Sequence, residues 1–311
     1  MNILITGVHG FVGSNLVKEL SGQHQIYGLD IIRPEKEGIK KTFLWDEINK
    51  LPEIDVIIHL AAIVHDFNRK TDRNDVFAVN VGLTKRIFDH FLNSNAHKFI
   101  FFSSVAICGN NVGNSILTES SVPDPKGLYG ESKIMAEEYI LSHINDIPEK
   151  NVIILRPSMI YGEGNKGNLN LLYNIVSRGF PWPLGAFDNK RSFTSVENLK
   201  YIISRIISTD IPNGIYNVSD DDPLSTNRIV SLIYRELGLP ERIWKLPKWL
   251  MKVLAKAGDI LNMPLNSERL TKLTGNFVVS NKKLKKALGF EKMPISSIDG
   301  MTKTIKYFSY L

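Results

Sequence analysis

The segment that most constrains the fold is Thr6-Gly7-Val8-His9-Gly10-Phe11-Val12-Gly13. It follows an apolar run at residues 3–5 and opens an amphipathic stretch at residues 11–20. Few architectures turn a strand straight into a helix through three glycines. Gly7 permits a tight turn, Gly10 lets backbone approach a bound group, and Gly13 lets the helix pack close to the strand. The unpaired N–H groups at such a helix start, on the positive end of its dipole, suit a pyrophosphate. Further apolar runs follow at residues 25–29, 42–45, 56–60, 98–102 and 152–155, with helical patterns at 75–93 and 129–144 among them. Continuous apolar runs belong to strands covered on both faces. Their alternation with helices predicts a doubly wound parallel sheet of the α/β class.

Beyond residue 162 the pattern loosens. Helices are predicted at residues 168–177, 198–207, 227–237, 247–257 and 296–307, with Thr226 as an N-cap for the third. The helix at 247–257 is basic and amphipathic. Its Trp249, Leu250, Val253 and Leu254 are expected to pack into a small C-terminal lobe rather than rest on a membrane. Residues 1–162, with a return segment near 192–217, are assigned to a dinucleotide-binding domain, and 163–311 mainly to a substrate domain. The cleft between them is the expected substrate site.

Composition excludes other classes. Of the 311 residues, 43% are hydrophobic and 23% charged, which argues against a disordered chain. The net charge of +6 is dispersed, and the lysines at 282, 283, 285 and 286 read as one solvated helix face. No nucleic-acid-binding motif accompanies them. The single cysteine, Cys108, allows no intrachain disulfide and fits a reducing compartment. With no signal-like N-terminus and no apolar stretch of membrane-spanning length, a cytoplasmic protein without membrane insertion is expected.

The chemistry lies at strand ends. Asp30 closes the second strand, seventeen residues past Gly13. A carboxylate there accepts hydrogen bonds from ribose hydroxyls and repels a 2′-phosphate, which favours NAD over NADP, with Arg33 nearby as a softening influence. Tyr129 and Lys133 are four residues apart on one helix face. A phenol titrates near pH ~10, and an ammonium beside it, together with a nicotinamide ring, is expected to lower that value and ready it for proton transfer. Ser103-Ser104 follows the strand at 98–102, where a hydroxyl can hold the reacting oxygen. No metal site is expected.

Together these residues resemble the extended short-chain dehydrogenase/reductase family, especially its nucleotide-sugar epimerases. The elements are Thr6–Gly13, Asp30, His59-Leu60-Ala61-Ala62, Asn80, residues 102–109, Tyr129–Lys133, Leu155-Arg156-Pro157 and Tyr161-Gly162. The resemblance implies a Rossmann domain with a smaller, discontinuous α+β C-terminal domain. It assigns catalysis to Ser104, Tyr129 and Lys133. NAD binding falls to Gly7, Gly10, Phe11, Val12, Gly13, Asp30, Asp46, Glu47, Leu60, Ala61, Ala62, Asn80, Tyr129, Lys133 and Pro157. For a UDP-sugar it implies Ser104, Asn168, Leu184, and Arg191 and Arg269 on the diphosphate; guanidinium forks suit that group.

Departures narrow the activity. Val105-Ala106 replace the Asp-Glu of sugar 4,6-dehydratases, which disfavours elimination of water. Cys108, Met159 and Val64 also differ from classical epimerases, and the run at 185–192 looks most like a bacterial branch acting on UDP-N-acetylhexosamines. The leading expectation is a C4 epimerase of a UDP-hexose or UDP-N-acetylhexosamine, working as a homodimer through the helices at 75–93 and 129–144. The alternatives are an NAD(P)H-dependent reductase of a UDP-4-keto-6-deoxy-N-acetylhexosamine and, more remotely, a non-catalytic dinucleotide-binding regulator.

Overall fold

The computed structural model describes residues 1–64, 72–109, 115–144, 147–165, 167–261 and 266–310. Seven parallel strands form the main sheet. In chain order the strands of the molecule are β1 (Asn2–Thr6), β2 (Gln25–Asp30), β3 (Lys41–Leu44), β4 (Val56–His59), β5 (Lys98–Phe102), β6 (Ile116–Leu117), β7 (Asn151–Pro157), β8 (Met159–Tyr161), β9 (Phe193–Ser195), β10 (Gly214–Val218) and β11 (Val278–Val279). The main sheet runs β10-β7-β5-β4-β1-β2-β3, and two small parallel pairs, β8-β9 and β6-β11, lie outside it.

Alternation along each strand divides the apolar runs between two cores. Ile3, Ile5, Val56, Ile58, Ile100, Ile153 and Leu155 face one side. Leu4, Ile57, Phe99, Phe101, Val152 and Ile154 face the other. Helices α1 (Phe11–Leu20) and, later in the chain, α6 (Val196–Ser208) supply Leu16, Val17, Leu199, Ile202 and Ile206 to the first side. The second side is covered by a continuous helix made of α2 (Arg73–Phe77), a π-helical turn (Ala78–Leu83) and α3 (Thr84–Leu92), and by α4 (Leu128–His143).

The remaining helices are α5 (Asn168–Ser177), α7 (Thr226–Glu236), α8 (Lys248–Ile260), α9 (Ser267–Thr274), α10 (Lys282–Leu288) and α11 (Ser297–Ser309). A separate core joins Leu169, Tyr173 and Val176 of α5, Ile229 and Ile233 of α7, Met251 and Ala255 of α8, Leu270 of α9, and Met301, Ile305 and Phe308 of α11. Helix α10 instead returns Leu284 and Leu288 to the first sheet core, with Lys282, Lys283 and Lys286 exposed and Lys285 half-buried in an ion pair with Asp221 at 2.6 Å.

Two expectations need correction. Ser225, not Thr226, caps α7: the Ser225 hydroxyl accepts from Arg228 N at 3.0 Å. Thr226 donates its hydroxyl to Leu273 O at 2.7 Å and is buried, so it ties α7 to the end of α9. Strand β10 was not among the predicted strands, because Asn217 breaks its apolar run; its pairing with β7 completes the sheet edge.

Candidate active site

Strand order reverses between β1 and β4, and the crevice at their carboxyl ends is where ligands of such sheets bind. Gly7 leaves β1 with φ +65 and donates its N–H to Leu29 O at 2.9 Å. A Cβ on Gly7 would lie 3.1 Å from Ala61 N and Cα, and one on Gly13 would lie 2.5 Å from Gly7 O. The turn is therefore folded too tightly for side chains. Gly10 precedes α1 without a side-chain cap, so the N–H groups of Phe11 and Val12 lack intrahelical acceptors. This cradle fits a pyrophosphate. Asp30, at the end of β2, accepts from Ile31 N at 2.7 Å and His9 N at 3.1 Å, which pins its carboxylate against the glycine turn.

Asp46 is exposed at the start of the 3-10 turn Trp45–Lys50. Glu47 is engaged: it accepts from Leu44 N at 3.1 Å and pairs with Arg33 at 3.3 Å and Lys50 at 3.4 Å. The Leu44 amide, helped by Lys50 and Arg33, holds the Glu47 carboxyl below its usual range. Arg33 is thus occupied by an acid.

The loop beneath the glycine turn rests on a buried polar chain. Thr6 Oγ1 accepts from Leu60 N and Ala61 N, both at 3.1 Å, so its own proton goes to His59 Nδ1 at 2.7 Å. His59 Nε2–H then donates to Thr84 Oγ1 at 2.8 Å, and Thr84 donates to Asn80 O at 2.7 Å. Burial keeps the His59 ring neutral, well below its ordinary value. Asn80 is fully buried within the π-helical turn. Its amide accepts from Ile63 N at 2.7 Å and donates to Ile63 O at 3.0 Å and Ser132 Oγ at 2.9 Å. It is accordingly a positioning residue, holding Leu60, Ala61, Ala62 and Ile63 in place. Pro157 ends β7, buried and in register with Val218.

The catalytic candidates meet at the end of β5. Ser104 is extended and starts the 3-10 turn Val105–Cys108, its hydroxyl accepting from Ala106 N at 3.1 Å. A Cβ on Gly130 would lie 3.0 Å from Ala106 O, so α4 docks tightly on this turn and brings Tyr129 to Ser104. The Ser104 hydroxyl beside the Tyr129 phenol pulls its proton affinity down, but burial is the larger effect and holds the phenol up at about 12. The expectation of a phenol lowered by an ammonium together with a nicotinamide ring concerns the cofactor-bound site. The Lys133 ammonium lies 6.0 Å from the Tyr129 ring and donates instead to Phe102 O at 2.8 Å. Lys133 is itself buried and is pushed down to about 7, with the Glu137 carboxylate opposing that shift.

Glu137 extends the row Tyr129, Lys133 by one more helical turn, and sequence reasoning missed it. Its i+4 spacing from Lys133 was the available signal. Arg156 of β7 binds it through two hydrogen bonds of 2.9 and 2.5 Å, and both side chains are buried. Cys108 is buried beside this pair, and burial pushes its thiol up, so it serves packing.

A family model described as NAD dependent epimerase/dehydratase matches residues 3–219. The chain belongs to that family. Among curated relatives, it is 31% identical to a UDP-glucose 4-epimerase of Vibrio cholerae over 99% of this chain and 95% of that protein. It is 28% identical to an N-acetyl-alpha-D-glucosaminyl-diphospho-ditrans,octacis-undecaprenol 4-epimerase of Escherichia coli O157:H7, over 92% of this chain and 85% of that one. The solved structure of MoeE5 with UDP-glucuronic acid and NAD superposes with a TM-score of 0.78 at 20% identity, covering 100% and 99% of the two chains.

The remaining predicted residues of this epimerase/dehydratase-family chain lie around the separate core of α5, α7, α8, α9 and α11. Arg191 stacks its guanidinium 5.9 Å from the Phe277 ring and donates to the Lys272 carbonyl, on the helix that also carries Arg269. Burial lowers the proton affinity of Arg191. Arg269 is exposed, with its backbone N–H capped by Asn266 Oδ1 at 2.8 Å. Helix α9 thus collects both predicted arginines. Leu184 is 3% exposed, its side chain in the core and its neighbour Gly185 donating to Trp244 O at 3.0 Å, which leaves backbone as its means of touching a base. The Asn168 side chain lies outside the described residues.

Proposed function

We propose that the protein is an NAD-dependent epimerase that inverts C4 of a UDP-hexose or UDP-N-acetylhexosamine. The observation that carries this reading is the close docking of α4 on the turn after β5, which sets Tyr129 beside Ser104 with Lys133 one helical turn away, next to the glycine cradle. Gly7, Gly10, Phe11, Val12 and Gly13 hold the pyrophosphate of the dinucleotide, Asp30 its adenosine ribose, and Lys133 its nicotinamide ribose. Asp46, Glu47, Leu60, Ala61 and Ala62 border the remainder. When bound, NAD supplies the hydride acceptor and donor at C4.

Tyr129 accepts the proton of the C4 hydroxyl and returns it after the sugar has turned over. A phenol held at about 12 by its surroundings keeps its proton firmly, so the phenolate forms only as positive charge gathers next to it. Ser104 orients both the phenol and the sugar oxygen. Glu137 favours the charged form of Lys133 and, through Arg156, stays fixed itself. Arg191 and Arg269 hold the diphosphate while the 4-keto sugar rotates. Residues 1–162, with the return segment near 192–217, form the cofactor portion, and 163–311 mainly the sugar portion. The protein works in the cytoplasm as a homodimer paired through the helices at 75–93 and 129–144.

The test is product analysis of the purified protein with UDP-N-acetylglucosamine and UDP-glucose, without added cofactor. Formation of the C4 epimer is expected. Inertness toward both, with oxidation of added NADH or NADPH by a UDP-4-keto-6-deoxy sugar, would replace the epimerase with the reductase.

A further inference from the structure

Helix α8 presents three rows of side chains. Met251, Ala255 and Gly258 are buried, the first two in the separate core of helices. Trp249, Val253 and Ile260 are 68%, 55% and 82% exposed. At ~100° per residue these three fall within a narrow stripe on the solvent side. Lys248, Lys252 and Lys256 line the stripe along one edge, all exposed. Leu254 and Leu261, 46% and 68% exposed, widen it on the other. The core contact of α8 is already made by the buried row. The sequence expectation that Trp249, Leu250, Val253 and Leu254 pack into the lobe is therefore overturned for Trp249, Val253 and Leu254, while Leu250 is half-buried.

A contiguous apolar row kept in water marks a surface that is covered in use. The structure assigns this face to an anionic lipid bilayer, on which α8 lies in plane. Charge decides the occupant. The one acid of the helix, Asp259, is turned to α9, accepting from Ser267 N at 2.9 Å and Ser267 Oγ at 2.5 Å. What remains beside the apolar row is a line of lysines whose stems bury with it while their ammonium groups reach anionic headgroups. A second copy of the chain is a poorer occupant, because an antiparallel two-fold pairing would set this lysine row against its own copy, and a parallel one would leave both rows without an acid to meet. Insertion across the bilayer is excluded by length: the 13-residue helix spans ~20 Å, short of a ~30 Å hydrocarbon layer. No described helix is long and apolar enough to cross. Because α8 packs on α9, the docked face adjoins the helix that carries Arg269.

This inference does not rest on the epimerase reading. Its test is co-sedimentation of the full chain with vesicles of phosphatidylglycerol and phosphatidylcholine in equal parts, against phosphatidylcholine alone. Sedimentation with the anionic vesicles, weakening as salt rises, is expected, with a blue shift of tryptophan emission that Trp249→Phe diminishes. Lys248→Gln, Lys252→Gln and Lys256→Gln together are expected to weaken binding about a hundredfold, at about fivefold per lysine. Trp249→Glu with Val253→Glu removes the apolar anchor and is expected to abolish binding. Unchanged thermal melting of each variant verifies its fold. Three results overturn the proposal: no sedimentation of the wild type at low salt, equal binding by the triple variant, or a solution dimer that Trp249→Glu dissociates without any vesicle binding.

Discussion

At the scale of single residues, Tyr129 and Lys133 show opposite shifts from one cause. Burial disfavours charge, so the phenol rises to about 12 and the ammonium falls to about 7. Removing the phenol oxygen leaves the glycine cradle untouched. Tyr129→Phe is expected to keep NAD affinity, read by fluorescence titration, while turnover falls by ~10²–10⁴-fold. Lys133 also makes stability depend on pH. Its folded value lies below its unfolded one, so its burial costs most below pH 7, and the cost is relieved as pH rises toward the unfolded value near 10.5. The stability difference between wild type and Lys133→Met should therefore move in favour of the wild type from pH 7 to pH 10, by up to ~1.4 kcal/mol per unit. Urea unfolding across that range checks it, and a flat difference would mean that Lys133 is not buried as a titrating group.

At the scale of elements, the strand–turn–helix unit and the π-helical turn support one loop from two sides. Gly13 lets α1 start against Gly7 O, and Asn80 clamps Ile63 from the π-helical turn. π-Helical turns are frequent at functional sites, and this one points Asn80 inward at the loop. Gly13→Ala places a methyl 2.5 Å from Gly7 O, so the helix must move away from the turn. NAD affinity is expected to drop at least tenfold, measured by calorimetry, with stability lowered by ~1–3 kcal/mol. Asn80→Ala leaves two backbone groups of Ile63 without their partner and should cost ~1–3 kcal/mol in unfolding experiments.

At the scale of the molecule, Asp220 ties together elements far apart in the chain. It accepts from Tyr161 at 2.7 Å, from Ser195 N at 3.0 Å and from Asn198 Nδ2 at 2.7 Å, so β8, β9 and α6 converge on one buried carboxylate. Burial pushes its proton affinity up against those donors. Ligands that bind only the folded form stabilise the whole chain: NAD at a hundred times its Kd should add ~2.7 kcal/mol. NADP at equal concentration should raise Tm less, because the Asp30 carboxylate is pinned where a 2′-phosphate would sit and Arg33 is paired to Glu47. Equal shifts in differential scanning fluorimetry would contradict that preference.

Much of the cofactor half was legible in the chain order of residues. The glycine turn, Asp30 at a strand end and the Tyr129–Lys133 spacing are local features, and local geometry reads directly from sequence because strands and helices have fixed periods. Six strand positions followed for the same reason. Glu137 and its pairing with Arg156 stayed hidden, since that pairing joins α4 to β7. Only the packing of α4 on the turn after Ser104 revealed that Lys133 is buried and Tyr129 half-buried, and burial set the direction of both shifts. The exposed row of α8 was likewise undecidable beforehand. An amphipathic pattern states that a helix has two faces, but which face meets the core depends on where the neighbouring helices stand.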